Sequence, residues 1–431
     1  MRFLGVGDSC DLGALYLRLV GEGHAVRVCV ENPMCHGTLA GMVERVADWR
    51  AELDWVGRDG IILFENVASD RGAVQDELRR DGFRVVGGSA YGDRLENERA
   101  FAQSILSEAG LPTVGTHEFT SEAAAAAFIA AHPARYVVKF NGPGFSSSDN
   151  YVGRLPNGRD ARAMLGAKLR GHEGKDVSFV LMEHVQGIEM GVGAYFNGRE
   201  FLRPACLDWE HKRFFAGDLG ELTGEMGTVV TYERTARFFA RTLERVEGLL
   251  RAAGHCGYVN LNTIVNAAGI WPLEFTCRFG YPGFAILDPL QMTPWGEIFG
   301  AMVSGERLAI ATAPGFAVGL VLTTPPFPYT RKQVDEAVGL PVLLDAALTA
   351  ADRRHLHYGE VGLLDGTLVT SGLYGWTMVA TGVGGDIAGA KREAGRIAAG
   401  IFAPILRYRL DIGDKVMGGD LAVVEGLGLL G

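Results

Sequence analysis

The segment PLEFTCRFGYP, Pro272 to Pro282, sets a carboxylate, a hydroxyl and a guanidinium two residues apart, as Glu274, Thr276 and Arg278. Along a β-strand successive side chains point to opposite faces, so these three share one face while Leu273, Phe275 and Cys277 share the other. Such a face suits either a structural ion pair beside a core or a site holding a metal ion and a developing negative charge. The preceding run, GYVNLNTIVNAAG, carries Asn260 and Asn262 on one face and reads as the partner strand of a hairpin. Two oxygen-bearing faces on adjacent strands can hold Mg²⁺ through one carboxylate, an amide oxygen and water, leaving positions for phosphate oxygens.

Three further stretches add groups that bind phosphate or sugar. ARYVVKF ends a strand near Lys139, and NGPGFSSSDN links it to a second strand. That order suits either a surface hairpin or a flap over a polyphosphate, with loop amides and hydroxyls (Ser146, Ser147, Ser148) donating and Lys139 as the point charge. Glu183 and Glu189 stand either side of a turn at Gly187, where carboxylates accept from ribose hydroxyls or meet solvent. Near the start, the turn Gly5 to Cys10 follows a strand and opens a helix, but it lacks the third glycine of a dinucleotide fingerprint. Its free amides could receive an anion. Asp8 and Asp11 would repel one, and suit a helix cap or a cationic amine instead.

The elements that must position these groups follow from the patterning. RFLGVG, AVRVCVE, GIILFE and RVVGG read as strands alternating with helices, including one around AGMVERVADWRAEL, so residues 1 to about 90 predict an open parallel α/β domain. DRLENERAFAQSILSEAGLP and TSEAAAAAFIAAH read as helices, SFVLMEHVQGIEMGVGAYF as a strand pair, and ERTARFFARTLERVEGLLRAAG as one long amphipathic helix. The 431 residues, 48% apolar and 21% charged, fit a soluble globular protein of two or three domains. A net charge of −10 argues against nucleic acid as the main partner. The six cysteines form no CxxC pair. Cys29 and Cys35, with His36 beside the second, come nearest to a metal pattern, and buried free thiols in a reducing cytoplasm are the expectation. No run reaches the length of a membrane span.

Several motifs then fall into one collinear order: GDRLENERAFAQSILSEAGLPT, EHVQGIEM, EHKRFFAGDLGELTGEMG, LEFTCRFGYP, TTPPFPY and TGVGGDIAGAKREAGRIAAG. In this the chain resembles the phosphoribosylamine–glycine ligases of the ATP-grasp superfamily over essentially its whole length. The resemblance implies a mixed α/β and α+β protein with three parts. Residues 1–92 would form a pre-ATP-grasp α/β domain, 93–318 the ATP-grasp domain with a flap subdomain at about 113–182, and 319–431 a C-terminal mixed α/β domain on the substrate side. It implies ATP and Mg²⁺ (or Mn²⁺) as cofactors, with Arg99, Lys139 and Ser146 to Ser148 on phosphate and Glu183 and Glu189 around adenine and ribose. It implies Glu274, Asn262 and Thr276 around the metal, Arg278 and Lys212 as catalytic groups, and His211 and Arg213 near the carboxylate substrate. Gly7, Asp8 and Ser9 would sit on the amine side, and the small residues around Thr223 and Gly224 would admit a glycine-like carboxylate.

The departures cluster. The family's GxGGREHA-type first turn is GVGDSCDL here, and its SGGRVL is SGLYGWTM from Ser371 to Met378; both lie on the amine side and both lose cations. Each lost charged hydrogen bond to a phosphate costs about 1.5–3 kcal/mol. The flap loses a lysine, GDPE has become GYPG, and Thr276 stands where the family has asparagine. The expectation is a cytoplasmic ADP-forming carboxylate–amine ligase, monomer or homodimer, whose amine is not phosphoribosylamine. The alternatives are a divergent phosphoribosylamine–glycine ligase and a nucleotide-binding module that has lost catalysis.

Overall fold

Residues 2–86 build the parallel sheet that the alternating pattern predicts. Strands β1 (Arg2–Gly7), β2 (Ala25–Val30), β3 (Glu44–Val46), β4 (Ile61–Phe64) and β5 (Arg84–Val86) lie in the order β3-β2-β1-β4-β5, every pair parallel. This computed structural model describes residues 1–65, 71–140, 149–170, 177–329 and 337–431. One expectation fails here: the segment read as a helix at AGMVERVADWRAEL supplies β3 and only short helical turns from Trp49 to Val56. Val46 and Trp49 there pack with Val56 against the sheet, so sheet-edge pairing decides the conformation over local propensity.

A second, antiparallel sheet joins β6 (Thr116–Phe119), β7 (Tyr136–Phe140), β8 (Tyr151–Val152) and β9 (Phe179–Glu183) in the order β6-β9-β7-β8. Helices Glu122–Ala131 and Arg159–Leu169 supply Ala125, Ile129, Ala161 and Leu165 to its core. Ser121 caps the first of them by accepting from the Ala124 amide.

The third sheet is the scaffold of the site. It consists of β10 (Ile188–Phe196), β11 (Cys206–Glu210), β14 (Gly227–Thr231), β15 (Gly257–Asn266), β16 (Gly269–Thr276), β17 (Phe316–Thr323), β19 (Leu356–Tyr358) and β22 (Trp376–Gly384). Their antiparallel order is β16-β15-β10-β11-β14-β17-β22-β19. Short pairs β12 (Arg213–Phe215) with β13 (Leu219–Leu222), β18 (Leu343–Leu344) with β23 (Ile401–Phe402), and β20 (Val361–Leu364) with β21 (Thr367–Thr370) complete the strands. The expected domain boundary at 318/319 falls inside β17, because this sheet runs unbroken from the ATP-grasp region into the C-terminal region. The expected strand pair around Gly187 is not a hairpin either: β9 belongs to the second sheet and β10 to the third.

Two helices predicted as continuous are broken. DRLENERAF divides at Glu98 into Ala90–Asn97 and Arg99–Glu108. ERTARFFARTLERVEGLL divides at Thr242, whose hydroxyl donates to the Phe238 carbonyl. Both halves still bury apolar residues in the main core, which is why the amphipathic pattern runs through the break.

Candidate active site

Two cavities meet at Lys212, Gly224, Glu274, Thr276 and Arg278. One, of about 500 Å³, opens between the second and third sheets; the other, of about 280 Å³, runs under the N- and C-terminal regions. The hairpin of β15 and β16 forms their shared wall: Asn260 pairs with Thr276 and Asn262 with Glu274. The register then slips, Thr263 facing Pro272, so Leu273 is the extra residue of a bulge. Leu273 therefore lines the larger cavity instead of joining Phe275 and Cys277 in the core, as simple alternation predicts.

At the junction one ammonium meets three carboxylates. Lys212 Nζ lies 3.2 Å from Glu189, 3.2 Å from Glu210 and 3.3 Å from Glu274. Lys139 Nζ approaches the other Glu274 oxygen at 3.4 Å. The charges of Lys212, Lys139 and Arg99 hold the Glu274 carboxyl well below the usual carboxylate range, against its burial. Burial alone would lower Lys212, but Glu210, Glu189 and Glu274 outweigh it and raise it. Lys139 is lowered by burial, with Glu274 opposing. Arg278 is aimed by Glu96, whose carboxylate accepts from Nε at 3.1 Å and lies 3.0 Å from Nη2.

On the larger-cavity side, Lys139, Glu183 and Glu189 line the wall beside apolar Val114, Met182 and Ile264. Arg99, the first residue of its helix, faces Glu274 from a neighbouring cleft. A triphosphate with a planar base fits this donor set: three cations converge on one carboxylate at the end of a cleft with apolar walls. Glu274, paired with Lys212 and Lys139, is the carboxylate of the set whose side chain is 44% exposed, and it is the one that would hold a metal ion. The expected flap serines, Ser146, Ser147 and Ser148, lie outside the described residues.

The smaller cavity is acidic. Asp208 and Glu210 alternate onto its wall from β11, with Glu225, Thr228 and Asp11 around them. Gly191 and Gly193 of β10 make the room: a Cβ at 191 would lie 2.2 Å from Asp208 Oδ1, and at 193 1.9 Å from the Tyr258 hydroxyl. Burial, then the neighbouring Glu210, pushes Asp208 up to about 7. Two sets of donors nearby are occupied by the chain's own carboxylates. Glu65 accepts from the Leu12 amide and the Tyr16 hydroxyl, and Gly7 packs so closely that a Cβ there would lie 2.3 Å from Glu65 Cγ. Glu360, 4% exposed, accepts from the amides of Leu373, Tyr374, Gly375 and Trp376 at 2.5–3.1 Å.

The structure departs from several expected placements. Lys212, in the link between β11 and β12, lines both cavities, while His211 and Arg213 line neither. His211 is 1% exposed and its Nε2 accepts from the Gly413 amide; burial pushes it down to about 4. Arg213 donates to the Gly220 carbonyl. Gly7, Asp8 and Ser9 line neither cavity: Asp8 lies 3.6 Å from Arg71 and Ser9 donates to Asp11 at 2.7 Å, so Asp11 is the residue of that turn that reaches the wall. Neither Asp8 nor Asp11 caps the following helix, which has no side-chain cap. Asn262 donates to Glu189 at 2.8 Å and accepts from the Thr263 amide, so it holds Glu189 rather than offering a free oxygen to a metal. Thr223 and Gly224 do line the larger cavity. Sequence reasoning missed Glu96, Asp208, Glu210 and Glu225; the alternation Asp208-x-Glu210-x-Lys212 was the available signal. All six cysteines are buried and free, and no cluster suited to a metal occurs among the described His, Cys, Asp and Glu residues. No described helix is long and apolar enough to cross a membrane.

Residues 97–284 match the family described as phosphoribosylglycinamide synthetase, ATP-grasp (A) domain. The phosphoribosylamine–glycine ligase of Nostoc sp. is 30% identical over 355 residues, covering 80% of this chain and 81% of the relative. That of Pseudomonas aeruginosa is 28% identical over 391 residues, covering 87% and 86%. The crystal structure of the Thermotoga maritima phosphoribosylamine–glycine ligase superposes with a TM-score of 0.74 at 20% identity, over 96% of this chain and 100% of the other. The biotin carboxylase domain of Hydrogenobacter thermophilus 2-oxoglutarate carboxylase, solved in complex with MgADP and bicarbonate, superposes with a TM-score of 0.65 at 8% identity, over 94% and 91%. The fold is ATP-grasp, and the chain belongs to the phosphoribosylamine–glycine ligase family.

Proposed function

We propose that this chain is an ADP-forming, Mg-ATP-dependent ligase that joins a small carboxylate to an amine through an acyl phosphate. The observation that carries the proposal is the junction itself: Lys212, Glu274 and Arg278 stand where a nucleotide-sized cleft opens into a second, smaller cavity. Glu274 would hold Mg²⁺ (or Mn²⁺), which supplies charge neutralisation on the phosphates. Lys139 and Arg99 position the triphosphate from the larger cleft. The remaining chemistry is placement and charge compensation, as phosphoryl transfer requires. Arg278, fixed by Glu96, faces the oxygen that gains charge when the amine attacks the acyl carbon. Lys212 stays cationic among its three carboxylates and holds the substrate carboxylate at the boundary between the cavities.

The relatives' names give glycine and phosphoribosylamine as the substrate pair, and the comparisons favour that pair over the different amine expected from the departures in sequence. A second reading keeps the ligase chemistry with another amine. One specific observation favours it: Glu360 and Glu65 occupy the amide donors that a phosphate on the amine side would need. The test is ADP release with Mg-ATP and glycine, with and without freshly generated phosphoribosylamine, and mass spectrometry of the product. Glycinamide ribonucleotide at turnover rate establishes the first pair. ADP release that requires a different amine establishes the second reading, and no carboxylate-dependent ADP release refutes the ligase proposal.

A further inference from the structure

Building on the second reading above, we propose that the amine taken by the smaller cavity carries a second positive charge on a short hydrocarbon body, an aliphatic diamine in chemical class, and no phosphate. The cavity holds more carboxylate than its own cations satisfy. Lys212 is engaged by Glu189, Glu210 and Glu274, and Arg278 by Glu96. Asp208 and Glu225 remain on the wall with Lys212 as the cation that acts on them, and it is already in contact with three other carboxylates. Asp208 is 5% exposed; its Oδ2 accepts from Asn260 at 2.7 Å, and its Oδ1 is buried with no hydrogen-bond partner. Glu225 Oε1 is likewise buried and unpartnered.

A second, independent observation points the same way. Thr228, 3% exposed and opposite Glu210 on the neighbouring strand, lines the same cavity, and its buried hydroxyl has no partner in the protein. Buried polar atoms are normally satisfied, so three orphaned oxygens on residues of one cavity wall call for a donor group from outside the chain. A primary ammonium has three donors and no acceptor, which matches a hydroxyl and two carboxylate oxygens. The groups do not converge as a metal shell; no such cluster occurs among the described residues. The rest of the wall suits an alkylammonium. Tyr281 stacks on Trp376 with ring centroids 5.1 Å apart at 13°, and Phe284 and Ile286 supply apolar surface. Aromatic faces beside carboxylates are the usual surroundings of a bound organic cation.

In the reaction one nitrogen enters as ammonium, loses a proton, and attacks the acyl carbon of the carboxyl phosphate. The C–N bond forms, the C–O bond to phosphorus breaks, orthophosphate leaves with the electron pair, and the nitrogen sheds a second proton. The other ammonium stays charged on Asp208, Glu225 and Thr228.

The test uses the full chain with Mg²⁺ and a non-hydrolysable ATP analogue, titrated calorimetrically with 1,3-diaminopropane, propylamine and O-phosphoethanolamine. The diamine is expected to bind at least tenfold tighter than either of the others. Asp208→Asn and Glu225→Gln should each remove most of that advantage. Should Asp208→Asn fail to fold, the more accessible Glu225→Gln carries the test. Equal binding of diamine and propylamine, tighter binding of O-phosphoethanolamine, or an unaltered diamine preference in a folded Glu225→Gln overturns the proposal. Its failure is distinguishable from failure of the ligase reading. Diamine binding without any amine-dependent ADP release refutes the ligase and leaves the cation site, whereas ADP release with phosphoribosylamine and no diamine binding does the reverse.

Discussion

Glu65→Gln is the substitution that tests most sharply how the amine side is built. Glu65 follows β4, is 1% exposed, and lies beneath the first turn against the Leu12 amide, the Tyr16 hydroxyl and the nearby carboxylates of Asp11 and Asp8. Burial, with Asp11 second, raises it from 4.5 to about 8. In the unfolded chain it ionises near its ordinary value, so between the two values the unfolded state has released a proton that the folded state keeps. Stability therefore falls as pH rises through that window and levels off above it. A rise of about 3.5 units at 1.36 kcal/mol each sets a ceiling of about 5 kcal/mol. The glutamine variant lacks this dependence. Urea unfolding of both proteins from pH 5 to 8.5 should show the difference in stability swinging toward the variant by several kcal/mol, with the variant the more stable at pH 8.5. Asp11, itself raised by burial, titrates in both proteins and largely cancels in the difference. A difference that stays constant across the range would refute the claim that a neutral carboxylic acid underlies this turn.

Three further outcomes follow from the same geometry. Glu274→Ala and Arg278→Met should each fold normally and lose about 10²–10³ in ADP-forming turnover, the usual consequence of removing a charge that compensates the transition state; steady-state assays on the folded variants check it. Lys212→Met leaves Glu189, Glu210 and Glu274 without their shared ammonium and should lower the urea midpoint. Glu360→Ala orphans the amides of Leu373, Tyr374, Gly375 and Trp376 and should cost about 3 kcal/mol or more, seen as a lowered melting temperature.

The parts of the site that sequence reveals are those fixed by strand periodicity. Glu274, Thr276 and Arg278 share a wall because a two-residue repeat survives almost any tertiary setting. Collinear motifs likewise reveal the ATP-grasp order. The shared motif groups Lys212 with His211 and Arg213, but only Lys212 of the three lines the site. What stays hidden depends on partners distant in sequence. Glu360 closes an amide cluster 13 to 16 residues on, Glu65 accepts from the amide of a residue 53 positions before it, and Glu96 fixes an arginine 182 residues away. The breaks at Glu98 and Thr242 are hidden for a related reason: both helical halves bury the same apolar stripe, so the pattern continues where the backbone does not.

The central claim is that phosphate passes from ATP to a carboxylate at the junction of Lys212, Glu274 and Arg278. The most direct measurement supplies glycine carrying ¹⁸O in both carboxylate oxygens, with Mg-ATP and the productive amine, and weighs the orthophosphate released. ADP and orthophosphate should appear in equal amounts, each orthophosphate carrying one ¹⁸O taken from the carboxylate. Unlabelled orthophosphate accompanying ADP, or release of AMP and pyrophosphate, would contradict it.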